Sequence, residues 1–171
     1  MHIQAKKTDY YSYISFADYE IIALKTSPHN YFILNSDCSV KKDCKGYTTV
    51  NYVGCGLYSA YKDNGESGLV DIINKEGNVI LTDVPSKCKA DDSGIIVFAK
   101  GEEAPVVTLY DFKGNLILNH KFNNYTTTGY GEYNPPVCYF VNGAVYITNL
   151  INNDTGENEK LLLMPNGAVF K

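Results

Sequence analysis

The chain has 171 residues and contains no arginine and no tryptophan. All 15 basic residues are therefore lysines, and 19 acidic residues bring the formal net charge to −4. Arginine is the side chain that pairs bidentately with phosphate groups and guanine edges, and binding to nucleic acid relies on neutralising phosphates. We therefore expect no nucleic-acid partner and no phosphoryl-transfer site that depends on arginine.

Histidine and long apolar runs are also scarce. The three histidines, His2, His29 and His120, stand far apart, and none belongs to a His-Glu-x-x-His motif. No stretch approaches the roughly 20 apolar residues of a membrane span. No apolar region follows Lys6 and Lys7 near the start, so the sequence predicts neither a membrane segment nor a signal peptide.

Cysteine is present in an odd number and at irregular spacing. The five positions are Cys38, Cys44, Cys55, Cys88 and Cys138. Five cysteines cannot all pair within one chain, so we predict free thiols and a cytoplasmic location, unless the chain is a segment of a longer protein. The spacing contains no two close pairs of the kind that bind zinc, and we predict no metal and no cofactor.

The residues that are abundant favour strands and tight turns. The sequence contains 15 tyrosines, 17 asparagines and 14 glycines, and valine and isoleucine are common. Aromatic and β-branched side chains suit a pleated sheet, whereas asparagine and glycine close the turns between strands. No segment keeps a helical apolar stripe over three turns, so the composition and the pattern both predict an all-β protein.

An internal repeat organises the chain. The segment Gly56–Leu81 aligns with Gly94–Leu118 when one gap is allowed. In this alignment Gly56 is matched with Gly94, and Gly77 is matched with Gly114. Weaker copies cover Glu20–Val40 and Gly143–Phe170. We predict a single domain, 1–171, built from four repeats and one insertion, with the approximate bounds 10–45, 46–85, 86–122 and 135–171 for the repeats and 123–134 for the insertion.

Each repeat contains a recognisable hairpin turn. Asn74 and Gly77 in one copy, and Asp111 and Gly114 in the next, form an Asp/Asn-x-x-Gly turn between two apolar runs. This pattern is typical of a type I turn followed by a bulge that needs a glycine with positive φ. Pro165-Asn166-Gly167 makes an equivalent break in the last copy, whereas Cys38 stands at the glycine position of the first.

Up to four short strands in about 40 residues is the spacing of a β-propeller blade. We therefore predict antiparallel meander repeats in a propeller-like arrangement of about four blades. A β-sandwich or a barrel is the alternative, because alternating strands with frequent turn signals fit those folds as well.

Two stretches carry a resemblance to known repeats. Asp91-Asp92-Ser93-Gly94-Ile95-Ile96-Val97-Phe98, followed by the hairpin Val106–Asn115, resembles the repeat of bacterial β-propellers of the NHL and gluconolactonase-like kind. Gly68–Leu81 is similar to the bacterial WG repeat but lacks the tryptophan that names it. The resemblance implies blade architecture and identifies no activity.

The insertion is the strongest functional candidate in the sequence. It runs Asn-Asn-Tyr-Thr-Thr-Thr-Gly-Tyr-Gly-Glu-Tyr-Asn-Pro-Pro over residues 123–136 and interrupts the repeat period. Inserted loops on regular scaffolds often carry function, and tyrosine offers a large contact area at low entropy cost. We predict a binding site formed by Asn124, Tyr125, Tyr130 and Tyr133; the alternative is a connector whose tyrosines pack on the nearest sheet.

No catalytic motif accompanies the repeat. The sequence contains no Gly-x-Ser-x-Gly elbow, no Walker loop and no dinucleotide fingerprint, so we predict no catalytic residue. The first hypothesis is a non-enzymatic binding or interaction module for a protein or a small polar ligand. The second is a metal-dependent hydrolase of the propeller type, and the third is a structural segment of a larger surface or phage-encoded protein.

Overall fold

The computed structural model describes residues 11–17, 20–26, 29–37, 39–127 and 137–171, and their side chains from Asn30 onward. The described residues form seventeen strands and no α-helix, which confirms the all-β prediction. None of them therefore belongs to a helix that could cross a membrane. The strands are β1 Tyr11–Ala17, β2 Glu20–Thr26, β3 His29–Leu34, β4 Val40–Asp43, β5 Tyr47–Gly54, β6 Leu57–Lys62, β7 Leu69–Asn74, β8 Val79–Pro85, β9 Cys88–Asp91, β10 Gly94–Ala99, β11 Val106–Tyr110, β12 Leu116–Lys121, β13 Tyr125–Thr127, β14 Val137–Val141, β15 Ala144–Asn152, β16 Asn158–Leu163 and β17 Val169–Phe170.

These strands form four antiparallel sheets that follow one another along the chain. The first three sheets are four-stranded meanders, made of β1 to β4, β5 to β8 and β9 to β12, with each strand beside its sequence neighbour. In the fourth sheet β13 and β14 both pair with β15, and β16 and β17 follow. The prediction of antiparallel sheets is therefore confirmed.

The chain divides into two compact units between Val84 and Pro85. In the first unit, buried side chains of the first two sheets form one apolar cluster, and strands β3 and β5 are in contact. Its buried members are Ile33, Cys44, Val50, Tyr58, Ala60 and Ile73. In the second unit, a larger cluster joins the third and fourth sheets. Its buried members are Ile96, Phe98, Val107, Leu109, Phe122, Cys138, Val145, Ile147, Leu150, Leu161 and Leu163.

The hairpin between the last two strands of each sheet repeats one backbone geometry. The donor and acceptor residues of the bond that closes it are Asn35 and Ser39, Asn74 and Asn78, Asp111 and Asn115, and Met164 and Ala168, with N–O distances of 2.8 to 2.9 Å. The turn glycines Gly77, Gly114 and Gly167 have φ values of 78°, 83° and 86°, as the sequence pattern predicted. Cys38, which was expected at the equivalent position of the first copy, lies outside the described residues.

The first strand of the fourth sheet is interrupted. Strand β13 pairs with the end of β15, Tyr125 opposite Asn152, and β14 pairs with its beginning, Val141 opposite Ala144. The two segments together occupy the place that β5 alone fills in the second sheet. Residues 125–127, which we expected within the insertion, are thus part of the sheet, and the chain between β13 and β14 lies outside the described residues.

Candidate functional site

Two of the four predicted binding residues are described, and both make hydrogen bonds within the fourth sheet. The Asn124 side chain donates from Nδ2 to Asp154 Oδ2 over 2.6 Å. The Tyr125 hydroxyl donates to Glu159 Oε2 over 2.9 Å, and its ring lies edge-on to Phe122, 6.1 Å between centroids.

The other two predicted residues, Tyr130 and Tyr133, lie outside the described residues. Asn124 and Tyr125 are consecutive residues at the start of β13, and the role of Tyr130 and Tyr133 stays a prediction.

Glu159 collects further donors around Tyr125. Asn152 Nδ2 and Lys171 Nζ donate to its Oε1 atom over 3.0 and 2.6 Å. Chiefly because Lys171 donates to it, the pKa of Glu159 lies below its usual value, while burial and the contact with Glu159 raise the pKa of Tyr125. The tyrosine hydroxyl therefore stays protonated and donates to an ionised carboxylate.

The second sheet contains the same kind of pair. The Tyr47 hydroxyl donates to Asp71 Oδ2 over 2.9 Å. Tyr47 lies opposite Lys62 on the next strand, and Asp71 lies opposite Ala60, two residues before Lys62.

The fourth sheet repeats that register. Tyr125 lies opposite Asn152, and Glu159 lies opposite Leu150, again two residues earlier. A tyrosine on the first strand of the sheet thus bonds a carboxylate two strands away in both sheets.

Asp71 is almost completely enclosed, with 3% of its surface exposed. Besides Tyr47, its carboxylate accepts hydrogen bonds from Thr82 Oγ1 and the Asp83 backbone N–H, and it forms an ion pair with Lys62 Nζ at 3.0 Å. Burial alone would raise the pKa of Asp71, but these donors together hold it below its usual value. Every one of these partners belongs to the second sheet. The Asp71 carboxylate therefore stabilises the fold and has little capacity left to bind a ligand.

The third sheet lacks this polar pair. Phe98 stands four residues after Gly94, as Ala60 stands four residues after Gly56, and the residue opposite Phe98 is Val107 in place of an acid. Val107 is completely buried. Apolar side chains therefore occupy a position that carries a carboxylate in the two sheets described above.

A cleft opens beside Phe98 in the second unit. It has a volume of about 290 Å³ and lies between strands β9 and β10 on one side and β14 on the other. The lining residues are Ser86, Lys87, Cys88, Lys89, Ile96, Phe98, Val137 and Cys138. Ile96 and Phe98 belong to the apolar cluster of the unit, so the floor of the cleft is apolar.

The charged groups of the cleft are all positive. Lys87 and Lys89 are exposed, and neither forms an ion pair with a described residue. None of the eight lining residues carries a carboxylate. In a chain whose net charge is −4, the cleft is thus a local site of positive charge. The alternation Lys87-Cys88-Lys89 is the one signal of this cleft in the sequence, and by itself it does not indicate a binding site.

One thiol faces the cleft, and a second lies in the strand that forms its wall. Burial raises the pKa of Cys138 to about 12, although the nearby Lys89 and Lys87 ammonium groups oppose the rise. Burial also raises the pKa of Cys88 to about 11, and its Sγ lies 3.6 Å from the Ser86 carbonyl oxygen. Both thiols are therefore protonated at neutral pH. The Cys138 thiol acts as apolar lining of the cleft, whereas Cys88 lies opposite Val97 and points to the other face of the third sheet from Ile96 and Phe98.

Thiol reactivity should follow exposure and pKa. We expect Cys55, which is exposed, to react first with iodoacetamide at pH 8. Cys44, Cys88 and Cys138 are free thiols whose pKa burial raises from the ordinary 9.0 to about 11, 11 and 12, so at pH 8 their thiolate fraction is about a hundredfold or more below that of an ordinary thiol, and their reaction should be slow. Peptide mapping by mass spectrometry measures each rate; equal rates for Cys55 and Cys138 in the native protein would contradict this ordering.

Within the described ranges, no three histidine, cysteine, aspartate or glutamate side chains come together as a metal site. The partly buried His120 lies edge-on to Phe122, 4.6 Å between ring centroids, and burial lowers its pKa. This histidine therefore packs as a neutral ring.

No protein-family model matches the chain, and no curated protein matches it significantly.

Proposed function

We propose that the chain is a non-enzymatic binding module on a propeller-like β-scaffold, and that its ligand binds in the cleft between β9 and β14. The cleft itself carries the proposal, because it combines an apolar floor with polar groups at its edge. Its volume of about 290 Å³ is near the lower end of the range for sites that take small organic molecules.

The sheet topology supports the scaffold part of the proposal. Three consecutive four-stranded meanders are followed by a fourth sheet whose first strand is split, and within each unit successive sheets pack through apolar faces. A propeller blade is such a four-stranded meander. When the faces of the sheets pack on one another, the segments that connect the strands stay at the surface, where they can bind a ligand. Lys87 and Ser86 belong to one such segment, between β8 and β9.

The side chains around the cleft favour binding over catalysis. The Cys88 and Cys138 thiols are protonated at neutral pH, and its lining contains no histidine and no carboxylate that could move a proton. Lysine ammonium groups and a serine hydroxyl offer hydrogen bonds to a ligand. The arrangement therefore suits orienting a molecule better than moving a proton.

Chemical-shift perturbation tests the proposal. The labelled protein is titrated with hydrocinnamyl alcohol and, separately, with hydrocinnamate, which share a phenyl ring of suitable size. We expect at least one of them to shift the backbone amide signals of Cys88, Phe98 and Cys138, because those residues line the cleft.

A matched pair of variants locates the binding. Val137 and Val141 are 39% and 41% exposed on the same strand, and only Val137 lines the cleft. Val137→Trp should fill the cleft and abolish the shifts, whereas Val141→Trp should leave them unchanged. Absence of shifts with both compounds, or persistence of the shifts in Val137→Trp, would remove the cleft as a binding site.

A further inference from the structure

The positive charge around the cleft indicates which class of ligand it can bind. Lys87 lies just before β9 and Lys89 within it, on either side of Cys88 at one wall of the cleft. Among the described residues, three lysines form ion pairs with carboxylates, namely Lys62, Lys121 and Lys171. The two cleft lysines have no such partner, so two ammonium groups are available to a bound molecule.

The backbone fixes where these lysines stand. The Phe98 N–H donates to the Lys87 carbonyl oxygen over 2.9 Å, and Lys89 is paired with Ile96 in the third sheet. Both lysines are thus anchored beside Ile96 and Phe98, which form the apolar floor. Ammonium groups on flexible stems can bend over such a floor and meet a charged group at the mouth of the cleft.

We propose that the cleft takes a small amphipathic anion, an organic molecule with an apolar body and one carboxylate or sulfonate group. The apolar body would rest on Ile96, Phe98 and Val137, and the anionic group would pair with Lys87 and Lys89 at the opening. This inference rests on the proposed function, because it names the ligand class of the same cleft. The volume of about 290 Å³ fits a single small molecule and is too small for a folded partner segment.

Affinity measurements with hydrocinnamate and hydrocinnamyl alcohol test the charge requirement. The two compounds have the same carbon skeleton and differ in the carboxylate. We expect hydrocinnamate to bind about tenfold more tightly, since two lysine contacts at a partly exposed site are worth that factor. The preference should fall as the salt concentration rises, because salt screens such pairs.

Two lysine variants assign the preference to its source. In the double variant Lys87→Gln/Lys89→Gln, both compounds should bind with nearly equal affinity, at the level of the alcohol in the unsubstituted protein. Lys160→Gln, which removes one exposed lysine on β16 away from the cleft, should keep the preference intact. Folding of each variant is checked by its circular dichroism spectrum.

The outcomes separate this inference from the proposed function. Equal binding of alcohol and acid by the unsubstituted protein would overturn the anion class and leave the cleft as a binding site. A preference for the acid that survives in the double variant would overturn the role of Lys87 and Lys89. Failure of both compounds to bind would overturn the binding site itself, and with it the inference.

Discussion

Replacing Asp71 by alanine should destabilise the first unit by about 3 kcal/mol. The substitution removes a carboxylate that is 3% exposed and leaves the half-buried Tyr47 hydroxyl without its acceptor, whereas the Thr82 hydroxyl is exposed and can bond to water instead. Buried polar groups that lose a partner cost more than the hydrogen bond itself contributes, because they have already given up their contact with water. Urea unfolding, followed by tyrosine fluorescence and circular dichroism, measures the change.

An exposed ion pair provides the control. Glu103 pairs with Lys121 at 2.5 Å, but its side chain is 81% exposed. Glu103→Ala should therefore leave the unfolding midpoint unchanged within error, since exposed pairs contribute little. If Asp71→Ala proved as mild as Glu103→Ala, the enclosed network would have no special part in stability.

The stability contributed by Asp71 should depend on pH. Its pKa in the folded protein lies below the ordinary value of 3.8, so its ionised form is favoured by folding. Such a group contributes its full stability above the unfolded pKa and loses it as the pH falls through the folded pKa. The difference in unfolding free energy between the unsubstituted protein and Asp71→Asn should thus be constant near neutral pH and shrink progressively below about pH 4. A difference that grows on acidification would contradict the sign of the shift.

Local sequence patterns predicted the strands and turns well, because their causes lie within a few residues. The Asp111 carboxylate accepts from the backbone N–H groups of Lys113 and Asn115 in the same turn, and Gly114 supplies the positive φ. The spacing Asp-x-x-Gly contains all of this information. Element type and turn position could therefore be derived from the printed sequence.

The polar pairs and the cleft could not be derived in that way. Tyr47 and Asp71 are 24 residues apart, and Tyr125 and Glu159 are 34 residues apart, so only the strand register brings each pair together. The cleft depends on β14 meeting β9, and residues 128–136 separate β14 along the chain from β13, the other segment that pairs with β15. A short-range sequence pattern does not indicate which of the 15 tyrosines forms a hydrogen bond with which of the 19 acidic residues.

Gly94→Ala should destabilise the protein by about 3 kcal/mol, and Gly143→Ala by only about 1 kcal/mol. Gly94 begins β10 and Gly143 directly precedes β15, both follow a tight turn in the second unit, and both have positive φ, 136° and 78°. A Cβ atom at Gly94 would lie 2.5 Å from the Tyr110 backbone carbonyl oxygen, whereas a Cβ at Gly143 would meet nothing within 4 Å. Because a backbone carbonyl in a paired strand cannot swing aside as a flexible side chain can, the clash at Gly94 must shift β10 against β11.

The pair of variants compares a crowded glycine with an open one. The cost at Gly143 measures the penalty of placing alanine at a φ of 78° in open space, and the excess at Gly94 combines the contact with Tyr110 and the greater backbone strain of alanine at a φ of 136°. Urea unfolding of both variants, under the same conditions, gives the two free energies. Amide hydrogen exchange should also show faster exchange in β10 and β11 for Gly94→Ala alone, since the shift loosens that strand pair. Equal destabilisation by the two substitutions, with unchanged exchange in β10 and β11, would show that the third sheet accommodates a methyl group at position 94.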